Sequence, residues 1–319
     1  METIRLVLPV TYEDAPCSTV MSHLGAEHSH GRGILGFLTL REAHNLWETC
    51  QEMRDEVSRF PWNEMTPIGI PFLEWRYMFP KARGVNLSCR QDFHEFNVKC
   101  LEDFDTVNIS WCKNIHDEDF VYLKNVKKLI MHGCTDITDA AFQHLKKIKV
   151  LEINNCSQIT DAAFQHLKGL EKLDMTHCIQ EQITDRGLSQ LTDLKHLVID
   201  QCCQRTISDK LFKSLQKLQT VSMVACLQMS DFAFRYMKNV KTLDIGFCSQ
   251  LSDKAFGYME NVETLRMSGC SQETICGDGF KYLKNIRSLN VSLCNSYTLQ
   301  EALMLNPHDL IYTKKRSRF

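Results

Sequence analysis

Along most of the chain, apolar residues come as a short alternating burst followed by a looser cluster, and the figure recurs every 22 or 24 residues. The unit that begins at Val126 reads V-K-K-L-I-M-H-G-C-T-D-I-T-D-A-A-F-Q-H-L-K-K. Leu129 and Met131 alternate with variable positions, the period of two of a strand buried on one face. Ile137 turns the chain inward. Thr138 stands where a helix N-cap belongs, with Asp139 at the positive end of the helix dipole. Phe142, Leu145 and either Ala140 or Ala141 then bury one side of a short helix. Each burst therefore predicts a strand and each cluster a short helix.

The same figure opens at Val85, Val107, Leu129, Leu151, Leu173, Leu197, Val221, Leu243, Leu265 and Leu289. ITDAAFQHLK occurs twice, at 137–146 and 159–168. The 24-residue steps share one cause, two extra residues after the cysteine in CIQEQITD, CCQRTISD and CSQETICGD. The helix cap recurs as Thr160-Asp161, Thr184-Asp185, Ser208-Asp209, Ser230-Asp231 and Ser252-Asp253, with weaker versions at His116-Asp117 and Cys276-Gly277-Asp278. Units of this size cannot bury a core alone. Stacked strand on strand at about 4.8 Å, they bury a continuous one.

The pattern L-x-I-x-x-C-x-x-I-T/S-D-x-x-F-x-x-L resembles the cysteine-containing leucine-rich repeat of many F-box proteins, and the resemblance covers residues 85–305. It implies an α/β horseshoe solenoid, with parallel strands on the concave face and short helices on the convex face. Cys112, Cys134, Cys156, Cys178, Cys202, Cys226, Cys248, Cys270 and Cys294 share one slot, five residues after the strand start. Stacking makes them a thiol ladder that fills space and reaches a backbone carbonyl of the adjoining repeat. Their spacing fits no local zinc motif, so neither a metal nor another cofactor is expected.

Before Val85 the repeat fails. Residues 1–33 read as a flexible segment, and Ala43, Leu46, Trp47, Cys50, Met53 and Val57 fall at helical spacing, predicting one amphipathic helix. The stretch 34–62 resembles the second half of an F-box. ILGFL stands where that family has I-x-x-F-L, Leu40 and Ala43 open the next helix, and Cys50 and Phe60-Pro61-Trp62 match its later landmarks. The family's opening L-P-x-E-L-L is replaced by SHLGAEHSHGRG. The resemblance implies that Leu35, Phe37, Leu38, Leu46 and Trp47 dock a Skp-type adaptor of a cullin-RING ubiquitin ligase. The other reading is that these helices cap the end of the repeat array. Residues 63–84, rich in aromatics and proline, read as a linker packed onto the first repeat, and 306–319 as a basic tail.

If Leu129 and Met131 point inward, the residues between and after them face the concave side in every unit. Those slots give Ile130, Glu152, Asp174, Val198, Asp200, Val224, Asp244 and Arg266 as candidate contacts for a protein partner. Aliphatic residues beside carboxylates suit a basic or mixed-charge segment, although strand residues of this kind are also simply solvated.

A net charge of −2 gives no overall footprint for nucleic acid or an anionic membrane, and no run approaches the roughly twenty apolar residues of a spanning helix. With no signal-like N-terminus, the expectation is a protein of the cytoplasm, or of the nucleus if Lys314, Lys315, Arg316 and Arg318 form an import signal rather than a solvated end. No Gly-rich phosphate loop, GxSxG or HExxH is present, and the recurring carboxylates are already placed at helix starts. A non-enzymatic protein-binding role follows, either as the substrate receptor of a ubiquitin ligase or as a stand-alone repeat scaffold.

Overall fold

Each strand start read from the pattern is the middle residue of a three-residue strand. In the computed structural model, which describes residues 38–62, 66–67, 71–90, 98–305 and 307–312, these are β1 (Gly84–Asn86), β2 (Thr106–Asn108), β3 (Lys128–Ile130), β4 (Val150–Glu152) and β5 (Lys172–Asp174). β6 (His196–Val198), β7 (Thr220–Ser222), β8 (Thr242–Asp244), β9 (Thr264–Arg266) and β10 (Ser288–Asn290) follow. All join one open sheet in chain order. Pairing from β2 onward is parallel and in register, so that Leu129, Leu151, Leu173, Leu197, Val221, Leu243, Leu265 and Leu289 lie side by side. None of these is more than 1% exposed, which makes the row the spine of the core. An eleventh strand, β11 (Asp309–Ile311), pairs with β10 inside the stretch that the pattern assigns to the tail. Its Leu310 takes the register position of Leu289 but is half-buried.

The chain divides into two compact units, 1–85 and 86–319. In the second, the convex side is built from single turns, and most are tighter than the α-helices the pattern suggests. Asp139–His144, Asp209–Lys213, Asp231–Tyr236 and Asp253–Tyr258 are 3-10 turns, whereas Asp161–Phe164 and Asp185–Leu188 are α-helical. Thr138, Thr160, Thr184, Ser208, Ser230 and Ser252 cap them as expected, each hydroxyl accepting the backbone N–H two residues on. Phe120, Phe142, Phe164, Phe212, Phe234, Phe256 and Phe280 are buried behind the caps.

Two side-chain ladders lock one repeat to the next. Every column cysteine donates its thiol to a carbonyl in the repeat before it, from Cys112 to Leu87 at 3.0 Å through Cys178 to Ile153 at 3.1 Å to Cys294 to Met267 at 3.1 Å. Burial pushes these thiols up, to about 11 for Cys178 and about 12 for Cys248, so they stay protonated and able to donate. The second ladder gives the helix-start aspartates a role beyond the dipole. Asp139 accepts both the Thr160 backbone N–H, at 2.8 Å, and its hydroxyl, at 2.5 Å. Asp117 holds Thr138, Asp161 holds Thr184, Asp185 holds Ser208, Asp209 holds Ser230 and Asp231 holds Ser252 in the same bidentate way. The cap that fastens one turn is thus itself fastened by the carboxylate of the previous turn.

In the first unit the single amphipathic helix expected over 43–57 is two: α1 (Leu40–Thr49) and α2 (Gln51–Arg59), which pack against each other. Cys50 between them is extended, at φ −156° and ψ 169°. The break has a local cause, since the Thr49 hydroxyl donates to the Leu46 carbonyl at 2.6 Å and Arg54 Nε donates to the Trp47 carbonyl at 3.3 Å. Carbonyls taken by side chains no longer need the next helical turn. The stretch assigned to a linker contains a third helix, α3 (Phe72–Met78), whose Phe72 and Trp75 join Trp62 and Phe79 in an aromatic core.

The aspartate ladder makes a quantitative prediction. Asp161→Ala removes two charge-assisted hydrogen bonds and leaves the Thr184 N–H without its acceptor, so it should lower unfolding stability by about 1.5–3 kcal/mol. Asp161→Asn, which keeps one acceptor oxygen, should cost about half as much, as read by urea denaturation.

Candidate protein-binding surface

Alternation along each strand sends two rows of side chains away from the core. In one row Ile130, Glu152, Asp174, Val198, Ser222, Asp244 and Arg266 are successive register partners. Two residues further along each strand lies the second row, with His132, Asn154, Thr176, Asp200, Val224, Gly246, Ser268 and Ser292. All eight candidate contact residues stand in these two rows. Arg266 is exposed and the other seven are half-buried.

The carboxylates among them are not equivalent. Glu152 Oε2 lies 3.2 Å from His132 Nε2, and Oε1 lies 3.5 Å from Lys172 Nζ. The His132 hydrogen bond, opposed by partial burial and helped by Lys172, holds the Glu152 carboxyl below its ordinary value. Asp174 Oδ1 accepts the Thr176 hydroxyl at 2.8 Å and its backbone N–H at 3.1 Å. Asp200 Oδ1 accepts the Ser222 hydroxyl at 2.6 Å and the Val224 N–H at 2.8 Å. Asp244 takes the Gly246 N–H at 3.1 Å, and burial pushes its carboxyl up, with the Asp200 charge adding to the rise and Arg266 opposing it. The expected acidic patch is therefore not uniform: Glu152 is engaged by His132 and Lys172, Asp174 by Thr176, and the Asp200 charge disfavours ionisation of Asp244.

A third column was not visible in the pattern. The residue before each column cysteine has a left-handed backbone, including Trp111 (φ 59°), Asn155 (φ 59°), His177 (φ 60°), Ala225 (φ 57°), Phe247 (φ 58°) and Leu293 (φ 62°), with Gly133 and Gly269 in the same slot. Bulky residues pay for that conformation. Two of them gain a bed in return. A Cβ on Gly133 would come within 2.2 Å of the Trp111 ring, and one on Gly269 within 2.4 Å of the Phe247 ring, so each ring lies directly over the glycine of the next repeat. Both aromatics remain 52% exposed. The available signal was an aromatic 22 residues before a glycine in the slot preceding the cysteine.

In the N-terminal unit Leu38, Leu46 and Trp47 are half-buried, while Leu35 and Phe37 lie outside the described residues. The Arg54 guanidinium covers the Trp47 ring, 4.5 Å from its centroid. Among the described residues, Asp253, Cys276 and Asp278 bring three potential metal-ligand atoms within 4.8 Å. Asp253 is already engaged there as the next rung of the aspartate ladder, accepting the Cys276 thiol at 2.7 Å and the Gly277 N–H at 3.1 Å.

The two perturbed concave carboxylates should titrate in opposite senses. Glu152, depressed in the fold, contributes stability that is present above its unfolded pKa and is lost as pH falls through the folded value. Asp244, raised in the fold, is disfavoured when charged, and this cost is relieved as pH falls. Carboxyl NMR titration should place the Glu152 midpoint below and the Asp244 midpoint above those of free residues. Glu152→Gln should flatten the acid limb of stability, and Asp244→Asn should not.

Comparison with known proteins agrees with this geometry. The model of the BspA-type leucine-rich-repeat region matches residues 94–219 and 181–304. No match was found among curated proteins. Among solved structures, a chain of the TLR13–ssRNA13 complex aligns with a TM-score of 0.60 at 18% identity, over 74% of this chain and 36% of that one. A chain of the yeast Rad7–Elc1 complex aligns with a TM-score of 0.49 at 14% identity, over 86% and 81%. The first likeness is one of fold. The family match spans most of the repeats whose strands, caps and thiols are described above, and the chain belongs to the leucine-rich-repeat proteins of the BspA type.

Proposed function

We propose that this chain is a protein-binding adaptor that acts as the substrate-recognition subunit of an SCF-type cullin-RING ubiquitin ligase. In this reading the N-terminal helices dock a Skp-type adaptor through Leu35, Phe37, Leu38, Leu46 and Trp47. The concave rows capture a protein substrate through Ile130, Glu152, Asp174, Val198, Asp200, Val224, Asp244 and Arg266. The observation that carries the binding role is the pair of concave rows themselves, in which aliphatic side chains stand beside carboxylates with no core function. A rigid sheet holds them in fixed spacing, which suits an extended segment with basic and apolar residues. The ligase role rests on the F-box-like sequence of 34–62 and on its forming a helix pair. Chemistry belongs to other subunits, with no cofactor needed here.

One observation favours the alternative of a stand-alone repeat scaffold. The Trp47 ring is covered by Arg54 and Leu46 is half-buried, which leaves less apolar surface for an adaptor. No described helix is long and apolar enough to cross a membrane, and neither membrane nor nucleic acid enters the proposal. A ligase subunit of this kind would work in the cytoplasm or the nucleus.

Titrating the full chain with a Skp-type adaptor by calorimetry separates the two readings. Binding at micromolar concentration that Leu38→Asp weakens at least tenfold supports the receptor, and no binding favours the scaffold. Replacing Glu152, Asp174 and Asp244 together by lysine should abolish capture of the partner, and unchanged capture would sink the concave-face reading.

A further inference from the structure

The hydrogen-bonded ladder runs one step past the N-terminal ends of the strands. Lys127 N–H donates to Asp105 O at 2.8 Å, Lys149 to Lys127 O at 2.8 Å, Glu171 to Lys149 O at 2.9 Å and Lys195 to Glu171 O at 2.8 Å. The loops that lead from the convex turns into the strands are therefore stacked like the strands themselves and form one rim of the array. Charge is unevenly spread along it. The loops before β3, β4 and β5, residues 124–128, 146–150 and 168–172, hold eight lysines and one acid, Glu171. The loop before β2 is acidic instead, with Glu102, Asp103 and Asp105, and the loop before β6 sets Asp193 against Lys195. A net charge of −2 conceals the lysine-rich stretch because neighbouring loops carry compensating acids.

Much of the lysine excess is matched inside the ladder. Lys124 pairs with Glu102, Lys127 with Asp105 at 3.0 Å and Lys172 with Glu152 at 3.5 Å. Lys149 and Lys195 share the single Glu171 carboxylate, at 3.3 and 2.7 Å. Lys147 reaches only the amide oxygen of Asn125, at 2.8 Å, which leaves its charge unmatched. Among the described residues no acid pairs with Lys146 or Lys168, and both are exposed, as is Lys147. Lys146 and Lys168 end the twin ITDAAFQHLK copies, so they hold the same place in adjoining repeats, whose strands lie about 4.8 Å apart. Like charges held this close favour an anion beside them.

From this unmatched charge and its limits, we propose that the rim patch centred on Lys146, Lys147 and Lys168 binds a short acidic segment of a partner protein. Its extent suits such a segment better than a nucleic acid. Lys124 to Lys168 covers two strand spacings, about 10 Å, the length of about three extended residues. Carboxylates at alternate positions of an extended segment lie about 6.6 Å apart, within reach of long side chains in adjoining repeats. A phosphate backbone continuing past the patch would meet the acids before β2 on one side and Asp193 on the other. No aromatic residue stands in the three loops to stack a base. The patch lies outside the eight concave contact residues and does not depend on the role proposed for them.

Fluorescence anisotropy of a labelled deca-glutamate peptide, titrated with the full chain, tests the patch. Binding is expected, weakening as salt rises from about 50 to 200 mM. Lys146→Glu, Lys147→Glu and Lys168→Glu together should weaken it at least tenfold. All three lie outside the thiol and aspartate ladders, so this variant should keep the urea midpoint of the unaltered chain. Lys238→Glu with Lys284→Glu reverses the matching slot in later repeats and should change affinity less than twofold. No binding at the lower salt, or equal affinity in the two variants, would overturn the proposal. Carbodiimide coupling of the peptide should mark Lys146, Lys147 or Lys168, and marks confined to other lysines would also overturn it. Deca-thymidylate is the competing probe. If it binds more tightly than deca-glutamate and is lost with the same three lysines, the patch belongs to a nucleic-acid backbone and the acidic-segment reading fails.

Discussion

A three-residue strand makes too few hydrogen bonds to hold itself, so each repeat exists only in register with its neighbours. The fastening that sets this register on the convex side is the aspartate carboxylate reaching forward to the next repeat. Asp139 grips Thr160 by backbone and hydroxyl together, and the chain of such grips runs from Asp117 to Ser252. A bidentate acceptor leaves little freedom of position. Near the C-terminal ends of the strands the thiol ladder does the same in the opposite direction, reaching back to the repeat before. Between the two, the leucine row has no room to slip.

That rigidity is what gives the concave rows their meaning. Their side chains are spaced by the sheet rather than by their own conformational preferences, so a complementary segment meets a surface already arranged. The charges on it are also sorted by the fold. His132 and Lys172 come to Glu152 because their repeats are adjacent, whereas Asp200 and Asp244 share a neighbourhood with a single nearby arginine acting on Asp244. The same stacking thus holds one carboxylate charged and disfavours ionisation of another, from residues of the same sign.

Much of this was legible in the sequence because it is periodic. Strand starts, cap residues and the thiol column recur at fixed offsets, and a period of two or a Thr-Asp pair has a direct physical reading. What escaped detection was non-local or non-periodic. The grip of Asp161 on Thr184 spans 23 residues, and a dipole explanation was already sufficient for the aspartate. The break at Cys50 depends on where the Thr49 hydroxyl and the Arg54 side chain happen to reach. β11 follows a helix, Ser296–Leu305, in place of the usual turn, and its Leu310 comes 21 residues after Leu289, a step outside the 22- and 24-residue pattern. The left-handed column carries tryptophan, phenylalanine and leucine in several repeats, residue types that give no hint of positive φ, and only Gly133, Gly269, Asn155 and His177 in the same slot point to it. For the N-terminal docking residues, the aliphatic pattern says nothing about Arg54 covering Trp47.

The forward grip of the aspartate has a consequence for how such a chain can change. Any unit that begins its turn with Thr-Asp or Ser-Asp presents both halves of the joint, an acceptor for the unit after it and a donor pair for the unit before. A copied unit therefore fits between its parent and its parent's neighbour without altering either. The twin ITDAAFQHLK turns at 137–146 and 159–168 are the form that such copying leaves. Each insertion moves everything downstream along the concave face by one strand spacing, about 4.8 Å. The array is in that sense a ruler, on which duplication resets the distance between aliphatic and charged marks while the joints stay the same.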